Sequence, residues 1–123
     1  MSAEDNTLSE IPSDLLKSAF AFGTEVAWPQ KDALAVLEAI SGKGIAVYGV
    51  EVWIPTTQGP YIPSPFIYSF TFEEPLQEEP WDTFAKRSAQ AAKRYIEEFK
   101  WDEQDDAHKA LTPFFNMEMA LEP

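Results

Sequence analysis

The chain has 123 residues, a length that predicts one domain, since a single core commonly spans about 100 to 200 residues. Hydrophobic residues make up 45% of it and aromatic residues 14%, which supports a packed core and argues against a disordered chain. Its 21 acidic side chains outnumber 9 basic ones, which gives a net charge of −12. Phosphate binding needs a concentrated basic surface, so the charge argues against nucleic acid as a direct ligand and against an anionic membrane surface.

Residue types that carry most metal and redox chemistry are scarce. The sequence contains no cysteine and one histidine, His108, which excludes disulfides, thiolate metal sites and cysteine nucleophiles. The start, Met1 to Asp5, is acidic where a signal peptide needs a basic end, and no apolar run approaches the roughly 20 residues that span a bilayer. We therefore expect a cytoplasmic protein with no cofactor and no metal. Its oligomeric state stays open.

The chain divides into a polar N-terminal tail, 1–12, and a single domain, 13–123. The domain opens with a short predicted helix over 14–20. Ser13 is the expected N-cap of this helix, and Gly23 lies just past its end.

A second helix is predicted to begin at Pro29, directly after Trp28, because proline suits the first helical turn. Apolar residues recur at helical spacing from there to Ile40. The segment 41–44 ends the helix, since its two glycines permit a left-handed turn.

Three segments have the pattern of strands. In 45–54 both alternating faces are largely apolar, which predicts a central strand covered on both sides. The proline-rich stretch 55–65 is expected to be a loop, because proline cannot donate to a ladder. A second strand, 66–72, places its aromatic residues on one face for core packing, and 114–120 alternates as a third strand.

The most clearly specified element is a helix over 81–99. Its apolar residues recur at i, i+3 and i+4 spacing, which predicts a stripe packed on the sheet. The stripe consists of Trp81, Phe84, Ala85, Ser88, Ala92, Tyr95, Ile96 and Phe99. The resulting order α-α-β-β-α-β predicts an α+β fold, one small domain with a mainly antiparallel three-stranded sheet packed with helices.

Motifs of catalytic and metal sites are weak in this chain. The glycines of 42–44 follow a helix and precede a strand, the reverse of a phosphate loop, and the acidic run 102–106 lacks the glycine and glutamate of an EF-hand loop. His108 has no second imidazole or cysteine as partner, and we interpret it as a surface histidine. Glu51 interrupts an apolar strand on the face of Val47; a catalytic acid, a binding group and a structural carboxylate all stay open, with the structural one favoured.

Acidic residues are concentrated in two clusters, one on each side of the long helix. Like charges at this density destabilise a compact domain by self-repulsion, which indicates a use in solubility or in attraction of a basic partner. Aromatic residues beside such charge are typical of binding hot spots. The predicted partner-binding surface consists of Glu73, Glu74, Glu78, Glu79, Asp82, Trp101, Asp102, Asp105, Asp106 and Tyr61. A helix of about 19 residues is roughly 28 Å long, so the clusters mark two ends of one extended face, or one of them alone contacts the partner.

Several segments between residues 20 and 100 carry a family resemblance. They are Glu25-Val26-Ala27-Trp28 leading into Asp32-Ala33-Leu34, Gly44-Ile45-Ala46-Val47 with Gly49-Val50-Glu51-Val52, and later Ser88, Ala92 and Tyr95-Ile96. Through them the chain resembles the immunity protein 40 family of bacterial polymorphic toxin systems. The resemblance implies a small cytoplasmic antitoxin that binds and blocks one toxin domain, not an enzyme, and it brings no catalytic residues.

The net charge agrees with this implied function. Many toxin domains are nucleases with basic substrate channels, and a protein of charge −12 would be steered to such a channel and cover it. The alternative is an acidic protein-interaction adaptor unrelated to toxins. An enzyme that uses Glu51 with a second carboxylate is a weaker hypothesis.

Overall fold

The computed structural model describes residues 7–64 and 67–123. These residues form three complete helices, α1 (Ser13–Ser18), α2 (Gln30–Ala39) and α3 (Trp81–Glu97). They also form six strands, β1 (Phe20–Phe22), β2 (Glu25–Pro29), β3 (Ala46–Thr56), β4 (Gly59–Tyr61), β5 (Ser69–Thr71) and β6 (Phe114–Ala120). The predicted α+β class is confirmed, whereas the predicted three-stranded sheet is wrong because β1, β2 and β4 also belong to the sheet.

The sheet is antiparallel throughout its described pairings and is built around β3 and β6. The strand order is β1-β2-β6-β3-β4, and β5 pairs with β3 beside β4. Val50 stands opposite Met117 and Val52 opposite Phe115, and these buried side chains form the middle of the core. The predicted central position of β3 is therefore confirmed.

The N-terminal part of the domain differs from its prediction. Helix α1 begins at Ser13 itself, with Pro12 in the N-cap position, and it ends at Ser18. The chain then forms the β1–β2 hairpin, whose turn contains Gly23 at a φ of +63°. Gly23 thus supplies the left-handed residue of a hairpin turn and not the end of a helix.

The start of α2 is also shifted from its prediction. Trp28 lies in β2, where it is fully buried and its indole N–H donates to the Leu15 carbonyl over 2.7 Å. Pro29 ends that strand and serves as the N-cap residue of α2. The predicted end of the helix is confirmed, since Gly42 and Gly44 adopt φ values of +79° and +70°.

The first half of the proline-rich stretch 55–65 forms a hairpin, so the predicted loop is wrong there. Strand β3 continues to Thr56, and the chain returns as β4 with Pro55 opposite Pro60. Antiparallel pairs alternate between hydrogen-bonded and non-hydrogen-bonded types, and two prolines without N–H groups fit the second type at no loss to the ladder.

The second predicted strand is shorter than expected. The strand covers Ser69–Thr71, and the flanking Tyr68 and Phe72 each add one backbone hydrogen bond to β3. Phe66 lies outside the described residues. The predicted core packing of its aromatic residues is confirmed for Phe70 and Phe72, whose rings lie 5.5 Å from Tyr95 and 5.8 Å from Phe84 of α3.

Helix α3 carries the predicted stripe. Its fully covered members are Phe84, Ala85, Ser88, Ala92 and Ile96. The one hydroxyl among them is satisfied, because Ser88 accepts the Val47 N–H over 3.0 Å and donates to the Ala85 carbonyl over 3.0 Å. The helix ends at Glu97, two residues before the predicted position.

A register shift in β3 decides which face Glu51 occupies. Val47 pairs with Met119 before the shift, and Val50 pairs with Met117 after it. An extra residue on one strand reverses the alternation of side chains. Val47 therefore shares a face with Val50, and the predicted common face of Val47 and Glu51 is wrong.

Candidate functional site

The structure brings Tyr61 to the loop that joins α3 to β6. Tyr61 ends β4, and its hydroxyl lies 3.2 Å from Nε2 of His108. The two rings are tilted by 30° with their centroids 5.6 Å apart. Tyr61 of the predicted surface thus lies beside a residue 47 positions later, in the loop that carries the second acidic cluster.

His108 is the centre of this contact. Its ring lies between Tyr61 and Trp101, with a centroid distance of 5.7 Å to the latter. Its Nδ1 lies 2.8 Å from Oδ2 of Asp105, three residues earlier. The side chain is 13% exposed, so the interpretation as a surface histidine is wrong: two rings and a carboxylate enclose it.

Tyr68 fixes the same loop from the side of the core. Its hydroxyl donates to Oδ2 of Asp105 over 2.6 Å and accepts the backbone N–H of Asp102 over 3.1 Å. Tyr68 itself is 3% exposed, so a group fixed in the core positions both aspartates.

Trp101 joins the loop to the core by its ring. Its indole packs edge-on against Phe99 and Tyr68, with centroids 5.0 and 4.9 Å away. Its N–H donates to the carbonyl of Leu111 over 3.0 Å, which closes the loop at its far end. Phe99 contacts the buried Phe115 of β6, so the aromatic cluster is continuous with the main core.

The electrostatics of the loop follow from this network. The hydrogen bonds from Tyr68 and then His108 lower the pKa of Asp105, because they stabilise its ionised form. The same carboxylate raises the pKa of Tyr68, which stays a donor at neutral pH. Asp105 is thereby used inside the loop, while Asp102 and Asp106 are exposed and Asp106 forms an ion pair with Lys109.

Exposed apolar side chains belong to the segments that this hydrogen-bond network joins. Tyr61 is 49% exposed, Leu111 41% and Ile67, next to Tyr68, 63%. We call these three residues, with the exposed acidic residues 102, 103 and 106, the tyrosine surface. It combines aromatic and apolar groups with carboxylates at its border, which is the composition of a protein-binding hot spot.

The first acidic cluster has a different environment. The carboxylate of Glu79 accepts two hydrogen bonds from Arg87, of 2.8 and 3.0 Å, and one of 3.0 Å from the N–H of Leu76. Its side chain is only 8% exposed, and the Arg87 bond, with that from Leu76, lowers its pKa. The guanidinium of Arg87 also lies 4.9 Å from the centre of the Phe72 ring. Glu79 therefore fastens the segment 73–80, which we call the acidic link, to α3.

The remaining predicted residues of this cluster point to solvent. Glu73, Glu74 and Glu78 are exposed in the acidic link, and Asp82 is exposed in the first turn of α3. Helix α3 separates them from the tyrosine surface by its 17 residues, about 25 Å at 1.5 Å per residue. The structure therefore places the two predicted clusters at opposite ends of one helix.

Glu51 lies on the side of β3 opposite to the Val50 side chain, and it lines a cavity of about 420 Å³. Its Oε1 accepts the indole N–H of Trp53 over 2.9 Å. Asn116 lines the same cavity and donates to the Val26 carbonyl over 2.9 Å. The Asn116 bond joins β6 to β2, and the Glu51 carboxylate has an indole partner within its own strand, which favours the structural interpretation of Glu51. Among the described residues, no group of three or more His, Cys, Asp or Glu side chains could hold a metal ion.

Sequence reasoning missed His108 and Tyr68 as parts of the site. The i, i+3 spacing of Asp105 and His108 was a usable signal, because it brings the two side chains together within one turn. Nothing in the sequence indicated the contact of His108 with Tyr61, since that contact depends on the β3–β4 hairpin.

A family model described as Immunity protein 40 matches residues 15–114. No curated protein and no solved structure matches the chain. In the described part of the chain, no helix is long and apolar enough to cross a membrane. The family match confirms the resemblance found in the sequence.

Proposed function

Because the chain belongs to the Immunity protein 40 family, we propose that it binds a cognate bacterial toxin domain and occludes it without turnover. The observation that carries the site of this function is the tyrosine surface. There an exposed aromatic ring and two exposed aliphatic side chains lie beside a hydrogen-bond network formed by Tyr68, Asp105 and His108.

This arrangement favours tight binding for two physical reasons. Exposed apolar groups at the centre of a contact exclude water and supply most of the binding free energy. A base that is already ordered by hydrogen bonds lowers the entropic cost of association. The Tyr61 ring, held against His108, meets both conditions.

Charge then selects the partner surface. A protein of net charge −12 is attracted to a basic surface, and the exposed carboxylates of the tyrosine surface orient it there. A basic nuclease whose substrate channel is covered in this way could no longer reach its nucleic acid. Blocking is thus steric and electrostatic, and the exposed carboxylates of the acidic link extend the attracting field along α3.

The proposal is tested by co-expression with the C-terminal domain of a toxin from a neighbouring gene, which is where the cognate partner of an immunity protein is expected. We expect the chain to restore growth of cells that produce the toxin domain and to co-purify with it. Failure to protect cells together with failure to form a complex would overturn the proposal.

The second candidate is an acidic interaction adaptor unrelated to toxins. The same tyrosine surface favours it, because aromatic and acidic groups suit any basic protein partner. The two candidates differ in gene neighbourhood: a toxin-bearing gene next to this one is expected for an immunity protein and not for an adaptor.

A further inference from the structure

Helices α2 and α3 form a groove on the outside of the molecule. They run antiparallel: at one end the Gln30 side chain donates to the Ile96 carbonyl over 2.9 Å. At the other end the Trp81 indole donates to the Gly44 carbonyl over 2.7 Å. Between these two bonds the helices border an open cavity of about 870 Å³.

The groove has an apolar floor to which both helices contribute. Leu34 and Ala35 contribute from α2, and Ala85 and Ala89 contribute from α3. The two alanines of α3 are one turn apart, so they leave a shallow channel along the helix. A channel with this spacing suits the side chains of a third helix, which anchor at i, i+3, i+4 and i+7.

The groove carries charges of both signs, and their sum is opposite in sign to the net charge of the protein. Its border carries Lys31, Lys86 and Lys93 against Glu38 and Asp82. The balance is one positive charge, whereas the whole chain carries −12. Lys31 and Lys93 belong to the same end, because Gln30 and Ile96 are joined there.

We propose that this groove receives an amphipathic helix of the same toxin domain, with carboxylates on that helix facing Lys31 and Lys93. The inference rests on the proposed function, since it assigns a second contact of one partner. Charge complementarity is the argument for this occupant: the basic end of the groove repels a basic segment and pairs with an acidic one.

The groove would then determine which toxin is bound. Attraction by a net charge of −12 favours any basic protein, so it discriminates poorly among toxins. A groove that fits an amphipathic helix with carboxylates disfavours toxins that present a basic segment there, because like charges repel. The tyrosine surface supplies attraction, and the groove supplies selection.

Lysine acetylation of the complex tests the inference directly. The free protein and its complex with the toxin domain are treated briefly with an acetylating reagent, and modification is read by mass spectrometry. We expect Lys31, Lys86 and Lys93 to lose reactivity severalfold in the complex, with Lys17 of α1 unchanged. If the complex forms but the three lysines react as in the free protein, the groove proposal is wrong while the proposed function stands. If no complex forms, both fail.

Charge reversal provides the matched variants. Lys93→Glu and Lys31→Glu should each raise the Kd for the toxin about tenfold, a change that corresponds to about 1.4 kcal/mol. Lys17→Glu changes the net charge equally on another exposed helix position and should leave the Kd within about twofold. Equal effects of all three variants would show that only net charge matters and would contradict a specific groove.

Discussion

The acidic link and the tyrosine surface both carry exposed carboxylates, but the contacts that hold them in place differ. Each lies at one end of α3, and each uses one carboxylate internally. In the link, Glu79 is paired with the cation Arg87, and the exposed large hydrophobic residue is Leu76 alone. In the loop that carries the acidic residues of the tyrosine surface, Asp105 is held by two ring side chains, Tyr68 and His108.

The difference shows why charge density alone does not identify a binding site. An ion pair with Arg87 fixes the link, whose exposed side chains are mainly solvated carboxylates, with Leu76 as its one exposed large apolar residue. Exposed charges of this kind contribute little to affinity. A network of aromatic groups around Asp105 fixes the loop and also presents Tyr61 and Leu111 to solvent. The second arrangement therefore offers both attraction and an apolar anchor.

Truncating the aromatic residues at the two ends of α3 should lower the stability of the protein more than any other change considered below. Phe84→Ala should cost about 3–5 kcal/mol of the free energy of unfolding, because Phe84 is fully buried against Trp81, Phe72 and Tyr48. Phe99→Ala should also destabilise the fold and in addition weaken toxin binding, since Phe99 supports the tyrosine surface. Chemical denaturation measures the first quantity and calorimetry the second.

The exposed Lys17→Ala is the control for these variants and should change stability by no more than about 0.5 kcal/mol. Should Phe84→Ala and Phe99→Ala both change stability by less than about 1 kcal/mol, the helix stripe would not face a core.

A second pair of variants compares the exposed apolar side chains at the two ends of α3. Tyr61→Ala should reduce toxin affinity by about 2 kcal/mol, roughly thirtyfold in Kd, because Tyr61 is the proposed anchor. Leu76→Ala, at a similarly exposed residue of the link, should change it by less than about 0.5 kcal/mol. Isothermal titration with the toxin domain gives both values. Equal losses, or a larger loss for Leu76→Ala, would assign the anchor to the link.

A pH dependence distinguishes the loop network from ordinary acidic residues. The pKa of Asp105 is lowered in the folded protein, so folding favours its ionised form. Its contribution is complete above the ordinary carboxyl pKa of about 3.9 and is lost as the pH falls through the lower, folded value. The NMR signals of the Trp101 and His108 side chains should therefore report loosening of the loop in acid.

Asp105→Asn removes the titrating group and should abolish this acid transition of the loop, and Glu79→Gln in the link should leave it intact. An unchanged transition in Asp105→Asn would mean that Asp105 does not hold the loop.

The sequence predicted the elements whose pattern is long and regular. Helix α3 and strands β3 and β6 have enough alternating or helical positions for their packing faces to be recognised. Strands β1 and β4 have three residues each, too few for a periodic signal, and β4 contains Pro60, which is normally a sign of a loop. Their formation depends on pairing with β2 and β3, which is a property of the whole sheet.

Some residues of the candidate site were predicted from the sequence, but their assembly was not. Tyr61, Trp101 and Asp105 were identified from aromatic and acidic composition, and the structure brings them together. The two residues that join them, His108 and Tyr68, were interpreted as a surface group and a core group. Their contacts bridge 37 to 47 residues of chain, a distance over which local patterns carry no information.

The most direct test of the account is the rate of association with the toxin domain. One variant combines Asp102→Asn, Glu103→Gln and Asp106→Asn in the tyrosine surface, and its matched control combines Glu73→Gln, Glu74→Gln and Glu78→Gln in the acidic link. Both remove three negative charges at exposed positions. We expect the first variant to slow association severalfold and to flatten its dependence on salt, and the second to have the smaller effect, because charges near the contact steer more strongly than distant ones. Slower association of the link variant alone, or no change in either, would contradict a toxin contact at the tyrosine surface.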